Sequence, residues 1–351
     1  MDTSFWKDKT VLVTGHTGFK GSWLSIWLIS MGAKVIGYAL DPHTPDDNFV
    51  LAHLEEKMVD IRGDIRDTKK LRETFETYRP EVVFHLAAQP LVLTSYENPV
   101  ETYEVNVMGT LHVLECIRFT DSVKQAVMIT TDKCYDNKET LKGYVETDPF
   151  GGYDPYSSSK ACDEILIASY RNSYFPIDAY EKHHKAIASV RAGNVIGGGD
   201  WAAYRILPDC IRAIESGQPI EIRNKNAVRP FQHVLEPLSG YLMLAQKLAQ
   251  DPKKYSGGWN FGPKEDDIWT VWDIAGEVIR CYGKGERLDC SKADAPHEAG
   301  KLTLNTQKAM TQLGWCPKLD VKQAVQYTTD WYRQRKEKDV YEICLSQIAS
   351  Y

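Results

Sequence analysis

The chain has 351 residues, with 42 basic and 48 acidic side chains, a formal net charge of −6 at pH 7 and 43% hydrophobic residues. This ordinary globular composition excludes collagen-like, low-complexity and wholly disordered chains, and the length predicts roughly two domains or lobes that need no metal or disulfide staples. The acidic balance argues against a nucleic-acid partner, and eight cysteines without a CxxC pair predict reduced thiols rather than a zinc site or a secreted scaffold.

The first residues, MDTSFWKDK, have no apolar core and do not read as a signal peptide. Residues 9–14 (KTVLVT) form a β-branched run expected to be a buried strand. A glycine-rich loop follows, then a helix over 22–31 with Gly32 as its C-cap, and a second strand over 34–40. The apolar stretch at 23–31 is too short to span a membrane, so the expected location is the cytoplasm, without membrane attachment. Helices are expected over 67–78, 99–118 and 156–174, and strands over 81–88, 125–131 and 186–195. This alternation predicts an α/β fold, a doubly wound parallel Rossmann sheet whose ligands bind beyond the carboxyl ends of its strands. After Gly197 the rhythm changes. Helices over 206–215, 235–249, 271–282 and 321–336, with short strands at 220–223 and 259–262, predict a smaller mixed C-terminal lobe. The expected division is 1–197 and 198–351, with a soft boundary and a chain that crosses between the lobes.

The strongest local signal is Thr14-Gly15-His16-Thr17-Gly18-Phe19-Lys20-Gly21. Glycines at 15, 18 and 21 between a strand and a helix suit a tight turn, close approach of a pyrophosphate, and a helix N-terminus facing that anion. All seven residues, Gly15 to Gly21, are therefore candidate dinucleotide contacts. The second strand is expected to end in an acid that holds the adenosine ribose; Ala39 stands there, and Asp41 two residues later is the candidate. Lys20 and His16 also suit a phosphate, which leaves NAD and NADP both open. Asp64, with Ile65 beside it, is placed to accept from an adenine amino group, while Asp67 caps the next helix.

The second signal is Tyr156-Ser157-Ser158-Ser159-Lys160. Tyr and Lys four apart share one face of a helix. An ammonium beside a phenol favours the phenolate and makes the tyrosine a usable base near neutrality. One strand and loop upstream lies Ile129-Thr130-Thr131-Asp132-Lys133. His183 and His184 read as a solvated loop, and no metal is expected.

These motifs, with HLAAQ (85–89), RAGNVIGGGD (191–200) and RPFQHVLEPL (229–238), resemble the extended short-chain dehydrogenase/reductase family over nearly the whole chain. The resemblance implies a nucleotide-diphosphate sugar as substrate and NAD as cofactor. It adds Leu86, Ala87, Ala88, Gln89, Asn106 and Thr130 to the cofactor contacts, together with Tyr156 and Lys160. For the substrate it implies Asn194 and Arg229 at the diphosphate, with Arg205, Gln89 and Trp201 nearby. Where many relatives carry an arginine after PLV, this chain has Leu93-Thr94. Epimerases of the family need only the hydroxyl residue, the Tyr and the Lys. Its sugar 4,6-dehydratases also need an acid and a base, most of them in a Thr-Asp-Glu segment. Thr131-Asp132-Lys133 resembles the branch acting on CDP-glucose, which implies conversion to a CDP-4-dehydro-6-deoxy sugar. In that reading Tyr156 is the base at the 4-hydroxyl and Lys160 holds the nicotinamide ribose. Thr131 bonds the new 4-oxo group, Asp132 protonates the leaving 6-hydroxyl, and Lys133, acting neutral, removes the C5 proton. Relatives dimerise through the helices at 99–118 and 156–174, which implies at least a homodimer. A different nucleotide-sugar dehydratase, an epimerase and a non-catalytic dinucleotide-binding regulator remain alternatives.

Overall fold

The computed structural model describes residues 2–139, 142–265, 267, 269–291 and 302–351. Seven strands form one parallel sheet: β1 Thr10–Thr14, β2 Lys34–Ala39, β3 Val59–Arg62, β4 Val82–His85, β5 Gln125–Ile129, β6 Ala186–Ala192 and β7 Gly257–Phe261, in the spatial order β7-β6-β5-β4-β1-β2-β3. The chain runs outward from β1 through β2 to β3, then returns to β4 on the other side of β1. The carboxyl ends of β1 and β4 therefore flank the point where the strand order reverses, the place where such sheets bind ligands.

Alternate residues of each strand enter two different cores, as the period of two requires. Val11, Val13, Val35, Val82, Phe84, Val127 and Val190 face one core. There they meet α1 (Phe19–Ser30), α6 (Leu235–Gln250) and α9 (Val340–Ser350). Leu12, Ile36, Val83, Ala126, Met128 and Ile187 face the other. It is closed by α2 (Thr68–Tyr78), a helical run α3 (Pro99–Tyr103, a π turn Glu104–Met108, then Gly109–Phe119) and α4 (Pro155–Ser173). Helix α5 (Ile206–Ser216) precedes α6, and α7 (Val271–Tyr282) and α8 (Val321–Gln334) follow it. Short strand pairs at Ile220–Ile222 with Arg287–Asp289, and Val228–Arg229 with Trp269–Thr270, lie outside the main sheet.

The strands are shorter than the apolar runs. β4 stops at His85 rather than 88 because the Leu86 and Ala87 amides turn to the Thr14 side chain, at 3.1 and 3.2 Å. β5 stops at Ile129 because Thr131 caps a 3-10 turn over Asp132–Cys134. The sheet draws β7 from beyond residue 198, pairing Trp259 with Val190 and Phe261 with Ala192. Helix α9 carries no strong periodic signal in the sequence. It is held by packing on α1 and by Cys344 Sγ 3.3 Å from Asn48 Oδ1.

Candidate active site

Gly15 leaves β1 in the left-handed region, at φ +75°, where a side chain is strained. A Cβ there would lie 2.8 Å from the Ala87 amide nitrogen, and a Cβ on Gly21 would lie 2.1 Å from the Gly15 carbonyl oxygen. Gly18 is the N-cap of α1 and makes no side-chain cap bond, and no acid sits in the first turn. The result is a cradle of close-packed backbone under an uncapped helix N-terminus, which fits a pyrophosphate. Thr17 Oγ1 donates to the Leu40 carbonyl at 3.0 Å, tying the loop to the end of β2. The Phe19 ring packs where a Cβ on Gly197 would fall.

Two side chains of this loop are directed elsewhere. The His16 ring is buried against Gly37, and its Nε2 lies 2.7 Å from Asp60 Oδ1. Burial lowers its pKa despite Asp60, so the imidazole is neutral, and only the His16 backbone faces the cradle. Lys20 lies within electrostatic reach of Arg205, Asp132, Lys133 and Lys160. Burial, followed by the charge of Arg205, pushes its pKa down to about 8. Lys20 therefore belongs to the catalytic cluster as much as to the glycine loop.

At the far edge of the loop Asp41 is exposed, with Oδ1 3.7 Å from Arg62 Nη1. Asp64 is gripped by Arg66, whose Nη2 is 2.7 Å from Oδ2 and whose amide is 2.8 Å from Oδ1. The Arg66 guanidinium holds the Asp64 carboxyl below its ordinary pKa. Ile65 is buried beneath Gly109. On the β4 side, Leu86, Ala87 and Ala88 continue past the strand, and Asn106 fastens the loop. Its Oδ1 accepts from the Gln89 amide at 2.8 Å, and its Nδ2 donates to Ser159 Oγ at 2.8 Å. Asn106 sits in the π turn of α3, an irregularity that re-aims the side chain inward. Gln89 Nε2 donates to Thr102 Oγ1 at 2.9 Å.

Helix α4 begins at Pro155, capped by Asp154, whose carboxylate accepts from the Ser157 amide at 2.9 Å. This fixes Tyr156 and Lys160 on consecutive turns, both buried. Thr131 and Asp132 are also buried, with Thr131 Oγ1 donating to Asp132 Oδ1 at 2.9 Å. Lys133 is half-buried, its Nζ 3.6 Å from Asp132 Oδ1. Gly193 brings the backbone against the same carboxylate; a Cβ there would lie 3.0 Å from Asp132 Oδ2.

A buried ionic network supports this cluster. Arg191 on β6 donates to both oxygens of Glu164 on α4, through Nε at 2.9 Å and Nη2 at 2.8 Å. Ser189 and Thr130 donate to the same carboxylate, at 2.7 and 2.5 Å. The Thr130 hydroxyl is therefore committed to Glu164, and its amide donates to the Val190 carbonyl at 2.8 Å. Arg191 also reaches Tyr135 Oη at 2.5 Å, and Tyr135 bonds Asn260 on β7 at 2.9 Å. Burial alone would raise the pKa of Glu164, but the guanidinium and three hydrogen bonds hold it below the ordinary value.

Residues 12–328 match the family described as GDP-mannose 4,6 dehydratase. The chain belongs to that dehydratase family. Among its curated relatives, the CDP-glucose 4,6-dehydratase of Salmonella typhimurium is 50% identical over 333 residues, which is 95% of this chain and 93% of the relative. The dTDP-glucose 4,6-dehydratase of the same organism is 25% identical, over 92% of each chain. Among solved structures, a UDP-glucose 4-epimerase from Thermotoga maritima superposes with a TM-score of 0.78 at 23% identity, covering 93% of this chain and 100% of that one. A dTDP-glucose 4,6-dehydratase from Bacillus anthracis in complex with NAD gives 0.76 at 21% identity, over 94% and 98%. These two likenesses establish the fold.

In this member of the dehydratase family, the residues expected at the substrate are brought together unevenly. Arg205 is close enough to act electrostatically on Tyr156 and Lys20, and it pairs with Asp200 at 2.8 Å. The Asn194 carbonyl accepts from the Gln232 amide at 3.0 Å, which holds the 191–200 segment in place. Arg229 Nη1 donates to the Val228 carbonyl at 3.0 Å, on a short strand paired with Trp269–Thr270. Trp201 is engaged away from Tyr156: its Nε1 donates to the Asp46 carbonyl at 2.7 Å, and its ring packs edge-on against Tyr332. Sequence reasoning missed Asp163, Glu164, Arg191 and Gly193. A signal for one pair was present, because Arg191 interrupts the apolar strand AIASVRA, and a charge buried in a strand requires a partner.

Proposed function

We propose that this chain is a CDP-glucose 4,6-dehydratase, converting CDP-D-glucose to CDP-4-dehydro-6-deoxy-D-glucose with loss of one water. The observation that carries the reading is Thr131-Asp132-Lys133, a buried carboxylate with an ammonium 3.6 Å away, at the same strand end as the buried Tyr156 and Lys160. The 50% identical relative bears that activity by name. The glycine cradle would hold NAD, and the cofactor would supply the hydride acceptor for C4 and the hydride donor for C6.

The side chains divide the remaining work. Tyr156 takes the proton of the sugar 4-hydroxyl, as a positioned general base. The Lys160 ammonium stabilises the phenolate electrostatically and holds the nicotinamide ribose. Thr131 turns its hydroxyl from Asp132 to donate to the oxygen that becomes the 4-oxo group. That ketone acidifies C5; Lys133, after passing a proton to Asp132, removes the C5 proton and returns it to C5 when C6 is reduced. Asp132 delivers a proton to the 6-hydroxyl, which leaves as water. Lys20, Arg205, Arg229 and Asn194 supply the positive and polar lining for a diphosphate. Asp41 contacts the adenosine ribose.

Mass spectrometry of CDP-glucose incubated with the protein and NAD tests the reading, with dTDP-, UDP- and GDP-sugars in parallel. Loss of one water from CDP-glucose alone is expected. Loss from another nucleotide sugar overturns the base preference, and unchanged mass in all of them overturns the dehydration. Lys133→Ala is expected to abolish water loss, and Lys133→Glu to retain part of the C4 oxidation. Release of product by Lys133→Ala at the native rate would remove Lys133 from the mechanism.

We further infer a homodimer. Val100, Met108 and Phe119 on or beside α3, and Ile165 and Tyr174 on or beside α4, are large apolar side chains left exposed on adjoining helices. Sedimentation as a monomer at micromolar concentration would refute this. Among the described residues no helix is long and apolar enough to cross a membrane. The eight unpaired thiols support a reducing, cytoplasmic setting.

A further inference from the structure

Asp163 lies one turn beyond Lys160 on α4. Its Oδ2 is 2.9 Å from Lys160 Nζ, and the two side chains are only 1% and 4% exposed. Removing both charges from water is costly, and such a pair is poor evidence for stabilisation. The other oxygen, Oδ1, is buried and has no hydrogen-bond partner. It is a strongly polar atom kept in the interior beside the lysine that the reaction needs.

The pair is linked to the cofactor cradle. Burial pushes the Asp163 carboxyl up to about 6, opposed first by the Lys160 ammonium and then by the Thr110 hydroxyl from α3, both of which favour its charge. Thr110 Oγ1 lies 3.0 Å from His85 Nε2 at the end of β4, and His85 Nδ1 lies 2.8 Å from Thr14 Oγ1 at the end of β1. Thr14 Oγ1 accepts from the Leu86 and Ala87 amides, the segment against which Gly15 is packed. A buried polar series thus runs from the glycine loop, across two strand ends, to Thr110, which acts electrostatically on the Asp163 partner of Lys160.

We propose that Asp163 is a positioning residue, the counter-ion that keeps Lys160 protonated and aimed, and that Thr110 and His85 register this pair against the cofactor loop. The charged and titratable groups acting on Lys160 are Tyr156, Asp163 and Glu164 from α4, Lys20 from α1 and His85 from β4. His85 supplies no compensating charge, because burial, and then the Lys160 ammonium, pushes its pKa down to about 3. Lys20 opposes a second ammonium. Burial works to neutralise Lys160, and Asp163 is the largest influence that reverses this, so the pKa of Lys160 lies above its ordinary value. Without Asp163, burial and Lys20 act together, and the ammonium is lost at lower pH. The inference depends on the proposed dehydratase reading only for its effect on turnover.

The decisive experiment is a pH titration of the protein carrying 13Cε-lysine, with the Lys160 signal assigned through Lys160→Arg. In the wild type the ammonium is expected to persist to higher pH than those of the exposed lysines, and in Asp163→Asn to be lost at least about one pH unit below the wild type. Asp163→Glu should restore most of the difference. In parallel, kcat for CDP-glucose should be flat on the alkaline side in the wild type and fall about tenfold per pH unit in Asp163→Asn. A wild-type Lys160 that deprotonates together with or before the exposed lysines, or an Asp163→Asn titration unchanged from wild type, overturns the proposal. If Asp163→Asn does not fold, the wild-type titration alone decides. A shifted Lys160 signal in a protein that dehydrates no sugar nucleotide would refute the dehydratase reading and leave the counter-ion role standing.

Discussion

The molecule carries two groups of ion pairs beside the same strand ends, and they differ in what they hold. Under α4, Arg191–Glu164 and Lys160–Asp163 are almost fully buried, and the first pair also engages Thr130 and Ser189. At the edge near β2 and β3, Asp41–Arg62 and Asp64–Arg66 are local and partly or fully exposed. Arg191–Glu164 joins β6 to α4, and Lys160–Asp163 joins consecutive turns of α4, so both are anchored in the helix that carries Tyr156. The pairs at the β2–β3 edge are open to solvent, and water replaces either partner cheaply. Catalytic geometry therefore rests on the first group, and the second is free to exchange partners when a ligand arrives.

The sharpest way to break this contrast is Arg191→Met, which leaves the Glu164 carboxylate buried without its cation. The loss should be about 3–5 kcal/mol by urea denaturation, with much of it recovered in the double variant Arg191→Met/Glu164→Gln. A smaller effect concerns buried imidazoles. His85 and His233 are both pushed down to about 3 by burial, so both fold neutral. The unfolded chain binds protons below about pH 6.5 that the native chain refuses until about pH 3, so stability falls as pH falls through that window. Urea midpoints at pH 7 and 5 should differ by about 2 kcal/mol per imidazole, and His85→Gln should remove one such share. The smallest expected change in folding is at the exposed edge. Asp41→Asn should leave stability within about 0.5 kcal/mol while weakening NAD binding roughly tenfold, read by titration of intrinsic fluorescence. A large stability loss there would erase the distinction between the two groups.

These groups also differ in how far they could be read from the sequence. The glycine loop and the Tyr156–Lys160 spacing are local patterns whose chemistry follows from a turn or a helix, so both were visible in the chain. The position of Lys20 was not. It stands in the first turn of α1, directly after the glycine loop, yet its side chain lies within electrostatic reach of Asp132, more than a hundred residues away, and only the sheet order brings the two together. His16 was misleading for a related reason: its partner Asp60 lies two strands over, across the glycine at position 37. The strand ends at 88 and 131 were overestimated because apolar runs continue past the point where Thr14 and Thr131 redirect the backbone. Asp163 and Glu164 carry no local sequence signal of their burial. What buries them is α3 on one side and Arg191 on the other, and neither is adjacent in the chain.

The origin of β7 bears on biosynthesis. β6 has β5 on one side and waits for Gly257–Phe261 on the other. Until residue 261 has left the ribosome, the nascent sheet has an open, apolar parallel edge, a template for pairing with another chain. A fragment ending at residue 197 keeps every residue assigned to NAD and to proton transfer, yet it should aggregate rather than serve as a minimal cofactor-binding unit.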